Sequence, residues 1–280
     1  MCEYNVNAAW PVERIDNAEA VLKRLVELQL VGGHVFHGSH GNWDTLPTQL
    51  GRMLTKLDPA EAMAYESRLL ENFVTQAWPH LEPGARRHVE FSRVRWGTRR
   101  NSGTMFVARH FGLPTRSLDW THESLIGLFF ACRRYPSKEA VVWWMSLTEY
   151  EAAAEANWMR VYKKSGKILN DFERSFTQSV EQDVIVTMAF PPWMVRPTLQ
   201  RAFVTVSGRL GMLHDEELWK FGVRTCGRIV IPSDCKAELV QRLSAMGFSA
   251  DALQIGESTI ETIASDVAEE VLQPRTTGNA

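Results

Sequence analysis

Within the eight residues from Arg116 to Glu123 the chain places Arg116, Asp119, Trp120, Thr121, His122 and Glu123. A guanidinium, two carboxylates, an imidazole, a hydroxyl and an indole in so short a stretch can bind a polar ligand, orient it and move a proton. The stretch HFGLPTRSLDWTHESLIGLFFAC runs from His110 to Cys132. Its turn formers Gly112 and Pro114 precede the polar cluster, and the apolar segment Leu125 to Ala131 follows it. The cluster is therefore expected on a loop held in front of a buried element, where binding side chains commonly stand. The same spacing also allows a plainer arrangement, a buried Arg116–Asp119 pair that ties the loop down.

Histidines form the second concentration. His34, His37 and His40 recur every third residue, as metal ligands on a helix can. Gly32, Gly33, Gly38 and Gly41 argue against a helix there, and on a strand residues 34 and 37 face opposite sides, so no metal is expected. His34-Val-Phe-His37 reads instead as a short strand that delivers His37 and Gly38 to its end. The third concentration is basic: from Arg86 to Arg116 there are eight arginines, no lysine and a single acid, Glu90, interleaved with Phe91, Trp96, Phe106 and Phe111. Arg93, Arg95, Arg99 and Arg100 in this run suit phosphates, and the rings suit stacking on bases. A solvated helix face with its aromatics turned into the core is the alternative.

Composition bounds these readings. A chain of 280 residues, 45% hydrophobic, can bury a sizeable core. Its net charge of −2 supplies no global basic field, so any nucleic-acid contact needs a local patch. Cys2, Cys132, Cys226 and Cys235 show no paired spacing and read as reduced thiols of a cytoplasmic protein. No leader-like segment stands at the start and no apolar run is long enough for a membrane span. G-x-G-x-x-G, G-x-x-x-x-G-K-[ST] and G-x-S-x-G motifs are all missing from the sequence.

The elements that must position these groups follow from periodicity. Residues 17–30 read as an amphipathic helix capped by Asp16, and 54–78 as mostly helix with a cap at Asp58-Pro59. Residues 140–145, 184–190, 201–207 and 227–231 read as strands, with helices over 147–160 and 233–246 and a loop or short helix over 208–222. Residues 163–179 read as a mobile connection. Helices come early and short strands late, an α+β pattern and not a regular βα alternation. A single domain is expected over 1–272, with a disordered tail at 273–280.

The stretch GLPTRSLDWTHESLIGLFFA resembles the signature of FRG-domain proteins. Upstream, Val35-Phe36-His37-Gly38 with Trp43, Leu46, Pro47 and Gly51-Arg52 resembles that family's opening segment; together the matches span about residues 17–137. Where FRG proteins usually carry arginine, this chain has His37, and His37-Gly38-Ser39 resembles the first NAD-contacting motif of ADP-ribosyltransferases of the diphtheria-toxin and poly(ADP-ribose) polymerase class. The resemblance implies an ADP-ribosyltransferase-like split β-sheet core with an N-terminal helical region. It implies NAD as substrate, with His37 on the adenosine ribose, Gly38 against the nicotinamide carboxamide and Ser39 beside them. Thr121 or the ring of Trp120 would support the nicotinamide, and Arg116 and Asp119 would act as an orienting pair. The family's catalytic glutamate would fall near Arg201 to Gly208, which holds no acid, so Glu216, Glu217 and Glu123 stand as replacements. The function so implied is an NAD-dependent toxin or phage-defence effector that modifies a macromolecule, RNA or DNA if the arginine run guides it, with an antitoxin protein as a possible partner. A non-catalytic nucleotide or nucleic-acid binding module and an NAD glycohydrolase are the alternatives.

Overall fold

The strands form where β-branched and aromatic residues cluster between turn formers, and they assemble into one sheet. The computed structural model describes residues 10–41, 44–54, 57–94, 102–165, 185–256 and 258–272. Its strands are β1 (Val12–Arg14), β2 (His34–His40), β3 (Ser117–Thr121), β4 (Ala140–Ser146), β5 (Ile185–Ala189), β6 (Ala202–Ser207) and β7 (Cys226–Ile231), in the order β1-β7-β4-β2-β3-β6-β5. Only β1 and β7 run parallel; the remaining neighbours are antiparallel, so the sheet is mixed and the fold is α+β.

Pairing is uneven across this sheet. All seven residues of β2 pair with β4, and all five of β3 pair with β6. Between β2 and β3 the only registered pair is Phe36 with Thr121. Beyond it the two strands part: His37 to His40 stay with β4, and Trp120 back to Ser117 stay with β6. A four-stranded half and a three-stranded half thus meet at one residue pair.

Eleven α-helices and a 3-10 turn at Trp78–His80 are present among the described residues, and the longer helices cover the two faces. The register carries one face from Phe36 to its partner Thr121, on to Asp119, and across to Val204. Over the four-stranded half this face is covered by α1 (Ala18–Val31), α6 (Ser124–Cys132) and α10 (Ser233–Ala245), through Val21, Leu25, Phe36, Ile126, Val142 and Leu239. Over the three-stranded half it is covered by α3 (Pro59–Ala77), α5 (Ser102–His110) and α11 (Thr259–Leu272), through Leu69, Phe73, Met105, Val204, Val206 and Val267. The opposite face packs Trp10, Trp120, Trp143, Tyr150 and Phe203 with α7 (Leu147–Ser165) and α9 (His214–Phe221). Short helices α2 (Gln49–Met53) and α8 (Val195–Leu199), and α4 (Pro83–Val94), complete the set.

Helix starts follow the side chains able to satisfy free N–H groups. Asp58 accepts from Ala60 and Glu61 while Glu61 returns to the Asp58 backbone, a capping box with Pro59 in the first turn. The expected cap at Asp16 is one residue off: Asn17 accepts from Ala20, because its extended backbone points the amide into the first turn.

α6 sits unusually close to the sheet. A Cβ on Gly38 would lie 2.0 Å from the Gly127 carbonyl oxygen and 2.6 Å from the Ala131 nitrogen, and one on Gly127 would lie 2.9 Å from the Phe36 Cβ. Two facing glycines therefore let a helix backbone rest on a strand backbone beside the split. Gln29 of α1 fixes the start of α6, donating to the His122 carbonyl at 2.9 Å and accepting from the Ser124 N–H at 2.7 Å.

Candidate functional site

The stretch expected as a polar loop is in fact β3, because Ser117 to Thr121 pair along their length with β6. Strand alternation then decides which of its side chains can work together. Thr121 and Asp119 leave one face, Trp120 the other. His37 shares the Trp120 face, with ring centroids 5.9 Å apart. His37 and Thr121 are thus on adjoining strands, but their side chains point to opposite faces. Thr121 is occupied structurally: its hydroxyl donates to the Gln200 carbonyl at 2.7 Å and accepts from the Glu123 N–H at 3.1 Å.

The His37 ring bridges the split between the two strands. Its Nδ1 lies 2.7 Å from the Asp119 carbonyl oxygen. A carbonyl can only accept, so Nδ1 carries the hydrogen, and a neutral ring presents its lone pair at Nε2. Burial pushes the His37 pKa down to about 4 against the pull of the Asp119 carbonyl and carboxylate, and Arg109 and Arg52 push the same way. At neutral pH the imidazole is therefore uncharged and available as an acceptor.

Asp119, whose side chain leaves the other face of β3, is the acid that acts on the His37 charge across the split. Its carboxylate is about half exposed and is gripped by Arg109, whose Nε donates to Oδ1 at 3.1 Å and whose Nη2 donates to Oδ2. Arg109 Nη1 also reaches the Gln49 side-chain oxygen at 3.4 Å. Burial opposes the charge on Arg109, but the Asp119 carboxylate outweighs it and raises the pKa. The expected Arg116–Asp119 pair is corrected accordingly. Arg116 is buried and pairs with Glu66 of α3 through Nε at 2.8 Å and through Nη2, while Nη1 donates to the Gly208 carbonyl at 3.0 Å. The LPTR arginine ties α3 to the ends of β3 and β6, and Arg109 takes the place beside Asp119.

Behind His37 lies a buried polar set. Trp120 Nε1 donates to the Thr205 hydroxyl at 2.9 Å. His214, the first residue of α9, is fully buried, and among the described residues neither ring nitrogen meets a partner at good hydrogen-bond geometry. Burial, followed by the nearby His37, pushes its pKa down to about 3, which the Thr205 backbone offsets only in part. The Ser39 hydroxyl and Trp143 Nε1, on the same face as His37, are likewise buried without a hydrogen-bond partner among the described residues. Gly38 pairs with Val142 in the ladder and keeps its hydrogens against α6.

The other anticipated residues stand elsewhere. Glu123 pairs with Arg201, and the buried Glu217 is held by Lys220 at 2.7 Å and Arg209 at 3.7 Å. Glu216 is partly exposed on the same helix as Glu217. None of these three bonds to His37, Asp119 or Trp120 among the described residues. Arg93 lies in α4 with its side chain outside the described residues, and Arg95, Arg99, Arg100, Trp43 and the tail 273–280 lie outside them altogether. Arg109, Gln49 and His214 were not singled out in the sequence for this site; Arg52 stood in the upstream match and Thr205 in the segment where the catalytic acid was sought, neither with a role here. Arg109 fell within the arginine run, but its neighbour Asp119 follows from strand register and not from spacing.

Among the described residues no helix is long and apolar enough to cross a membrane, and no group of His, Cys, Asp and Glu is placed to hold a metal ion. Cys132, Cys226 and Cys235 are free and buried. The family model for the FRG domain matches residues 33–140, from the start of β2 to the start of β4. No curated protein and no solved structure matches the chain. Both strands that part at the Phe36–Thr121 pair lie inside the matched segment, and this chain carries an FRG domain over residues 33–140.

Proposed function

We propose that the chain is an NAD-dependent ADP-ribosyltransferase-like enzyme whose substrate enters the split between β2 and β3. The observation that supports this reading is the parting of the sheet after one residue pair, with a neutral His37 bonded to the Asp119 carbonyl across the split and the Asp119 carboxylate near enough to act on its charge. The resemblance of His37-Gly38-Ser39 to an NAD-contacting motif adds the substrate class. In this reading His37 Nε2 accepts a hydrogen bond from a ribose hydroxyl. The bond from ribose C1′ to nicotinamide breaks with its electron pair leaving on nicotinamide, and the acceptor's nucleophile forms the new bond at C1′ as its proton departs. Positive charge develops on the ribose, and Asp119 is the carboxylate best placed to stabilise it. Glu123, Glu216 and Glu217 remain alternatives for that role. The acceptor is a macromolecule, RNA or DNA if the arginine run engages it, and the cellular role is that of a toxin or defence effector.

A non-catalytic nucleotide-binding module is favoured by a different observation: Asp119 is already tied to Arg109, which lowers its capacity to stabilise a second cation. One experiment separates the readings. The full chain is incubated with NAD labelled in the adenylate, with and without cell extract, and free nicotinamide and macromolecular label are measured. Nicotinamide release with nuclease-sensitive or protease-sensitive label supports transfer; release without label indicates a glycohydrolase using water. Binding without release indicates the module, and neither binding nor release overturns the proposal.

A further inference from the structure

The segment that joins α6 to β4, Arg133-Arg-Tyr-Pro-Ser-Lys-Glu139, lies against the end of β2 that has parted from β3. The Gly41 N–H donates to the Glu139 carbonyl at 2.7 Å, and the ring centroids of His40 and Tyr135 stand 5.2 Å apart. Residues 134–138 are all exposed, and Tyr135 is the only Phe, Tyr or Trp among the described side chains to be so, at 52%. Glu139 is held by Arg14 at 2.6 Å and Glu261 by Arg196, which leaves Arg133, Arg134 and Lys138 without an ion pair among the described residues. Burial, followed by Arg134 and Arg196, lowers the Arg133 pKa against the pull of Glu261, as like charges gathered on one side require.

The backbone of this segment is fixed from within. Lys236 of α10 is buried, and its ammonium donates to the Arg134 and Tyr135 carbonyls at 2.7 Å and to the Lys138 carbonyl at 3.0 Å, one bond for each of its hydrogens. The Lys138 N–H closes the Tyr135-Pro-Ser-Lys turn on the Tyr135 carbonyl at 3.0 Å. Tyr135 holds a φ of 50°, uncommon for a residue with a side chain and more so before proline. That conformation puts no ring into the core: half of Tyr135 stays in solvent, with Lys138 Nζ 5.3 Å from its centroid.

An aromatic ring held at the surface of a fixed loop, among three cations without paired acids, matches a run of phosphates that carries stackable bases. An acidic peptide would use the cations and leave the ring idle, and a lipid surface calls for a broader apolar face. We infer that residues 133–138 form a docking surface for single-stranded nucleic acid beside the split. This surface gives the acceptor proposed above its class and place, and it rests on that reading only for its use, since binding needs no NAD.

The test is fluorescence anisotropy of the full chain with a labelled single-stranded RNA of about twelve nucleotides, repeated with the same RNA as a duplex and with inorganic polyphosphate as competitor. The single-stranded form should bind more tightly than the duplex. Tyr135→Ala should weaken it about tenfold and Tyr135→Phe, which keeps the ring, should not, as stacking of one base contributes. Arg134→Gln and Lys138→Gln stand in solvent and leave the fold intact, and each should lower the salt dependence by about one counterion. No binding, equal affinity for single-stranded and duplex RNA, an unchanged affinity in Tyr135→Ala, or unchanged salt dependence in both glutamine variants overturns the surface. If RNA binds through Tyr135 and NAD is not consumed, the enzymatic reading fails and the surface stands. If NAD is consumed and label reaches nucleic acid equally well in Tyr135→Ala, the surface fails and the enzymatic reading stands.

Discussion

His37 Nδ1 and the Asp119 carbonyl meet at 2.7 Å across the place where β2 and β3 no longer share ladder bonds. The ring therefore substitutes for a backbone partner on the β3 side and keeps Nε2 as its acceptor. Replacing His37 by alanine removes one hydrogen bond, a loss of about 1 kcal/mol, so the variant should fold and melt a few degrees below the parent. NAD binding or turnover should drop at least about tenfold, because the ribose acceptor is gone. Thermal melting beside NAD titration checks both arms. A variant that fails to fold would assign His37 to the core, and one with unchanged NAD binding would remove it from the site.

Gly38 is explained by packing before any ligand is invoked. A methyl group there would meet the Gly127 carbonyl oxygen at 2.0 Å, which is backbone and cannot swing aside. Gly38→Ala should push α6 off β2 and destabilise the fold by about 1–3 kcal/mol or more, as overpacking does. The loss should appear in urea melts without nucleotide present. A fully stable Gly38→Ala with impaired NAD binding would instead show that the glycine serves ligand approach.

Arg116→Ala should be the most damaging of the single changes to the LPTR–LDWT stretch. It would leave the Glu66 carboxylate buried without its partner and free the Gly208 carbonyl, and breaking a buried pair in this way costs about 3–5 kcal/mol. The double variant Arg116→Met with Glu66→Leu should recover much of that loss, since no charge remains to be desolvated. Equal stability of the single and double variants, measured by chemical denaturation, would show that the pair is not the source of the effect.

The elements were more legible in the sequence than their partnerships. α1, β4, β7 and α10 fall within a residue or two of the periodicity, because apolar faces and breakers mark them directly. β3 was read as a loop since Arg116, Asp119 and Thr121 look polar in sequence, although Asp119 is answered by Arg109 and Thr121 by Gln200 in three dimensions. Short α2 and edge strand β1 carry too few residues for a pattern, and α11 lies in a stretch for which no element was assigned. That two motifs about eighty residues apart lie on neighbouring strands, the pairing of Arg109 with Asp119 and the position of His214 near His37 all depend on register and layer order. Spacing along a chain contains neither register nor layer order.

Acid should expose the three histidines whose pKa burial lowers most. An unfolded histidine protonates near 6.5, whereas burial pushes His37 and His110 to about 4 and His214 to about 3 in the folded chain. Between those values the unfolded state binds more protons than the folded one, so stability rises with pH and falls as the solution is acidified. The contribution is complete above about pH 6.5 and is lost progressively down to about 4 for His37 and His110 and about 3 for His214. Near pH 5 the slope of unfolding free energy against pH should correspond to roughly three protons from these groups, beyond what carboxylates add at lower pH. Urea denaturation at half-unit steps from pH 7.5 to 4.5 measures it. His214→Phe, which fills the site with an uncharged ring, should flatten the slope by about one proton, and His37→Gln should do the same. A stability that is level from pH 6.5 to 5 in the parent, or a slope unchanged in both variants, would mean that these imidazoles are not held neutral by the fold.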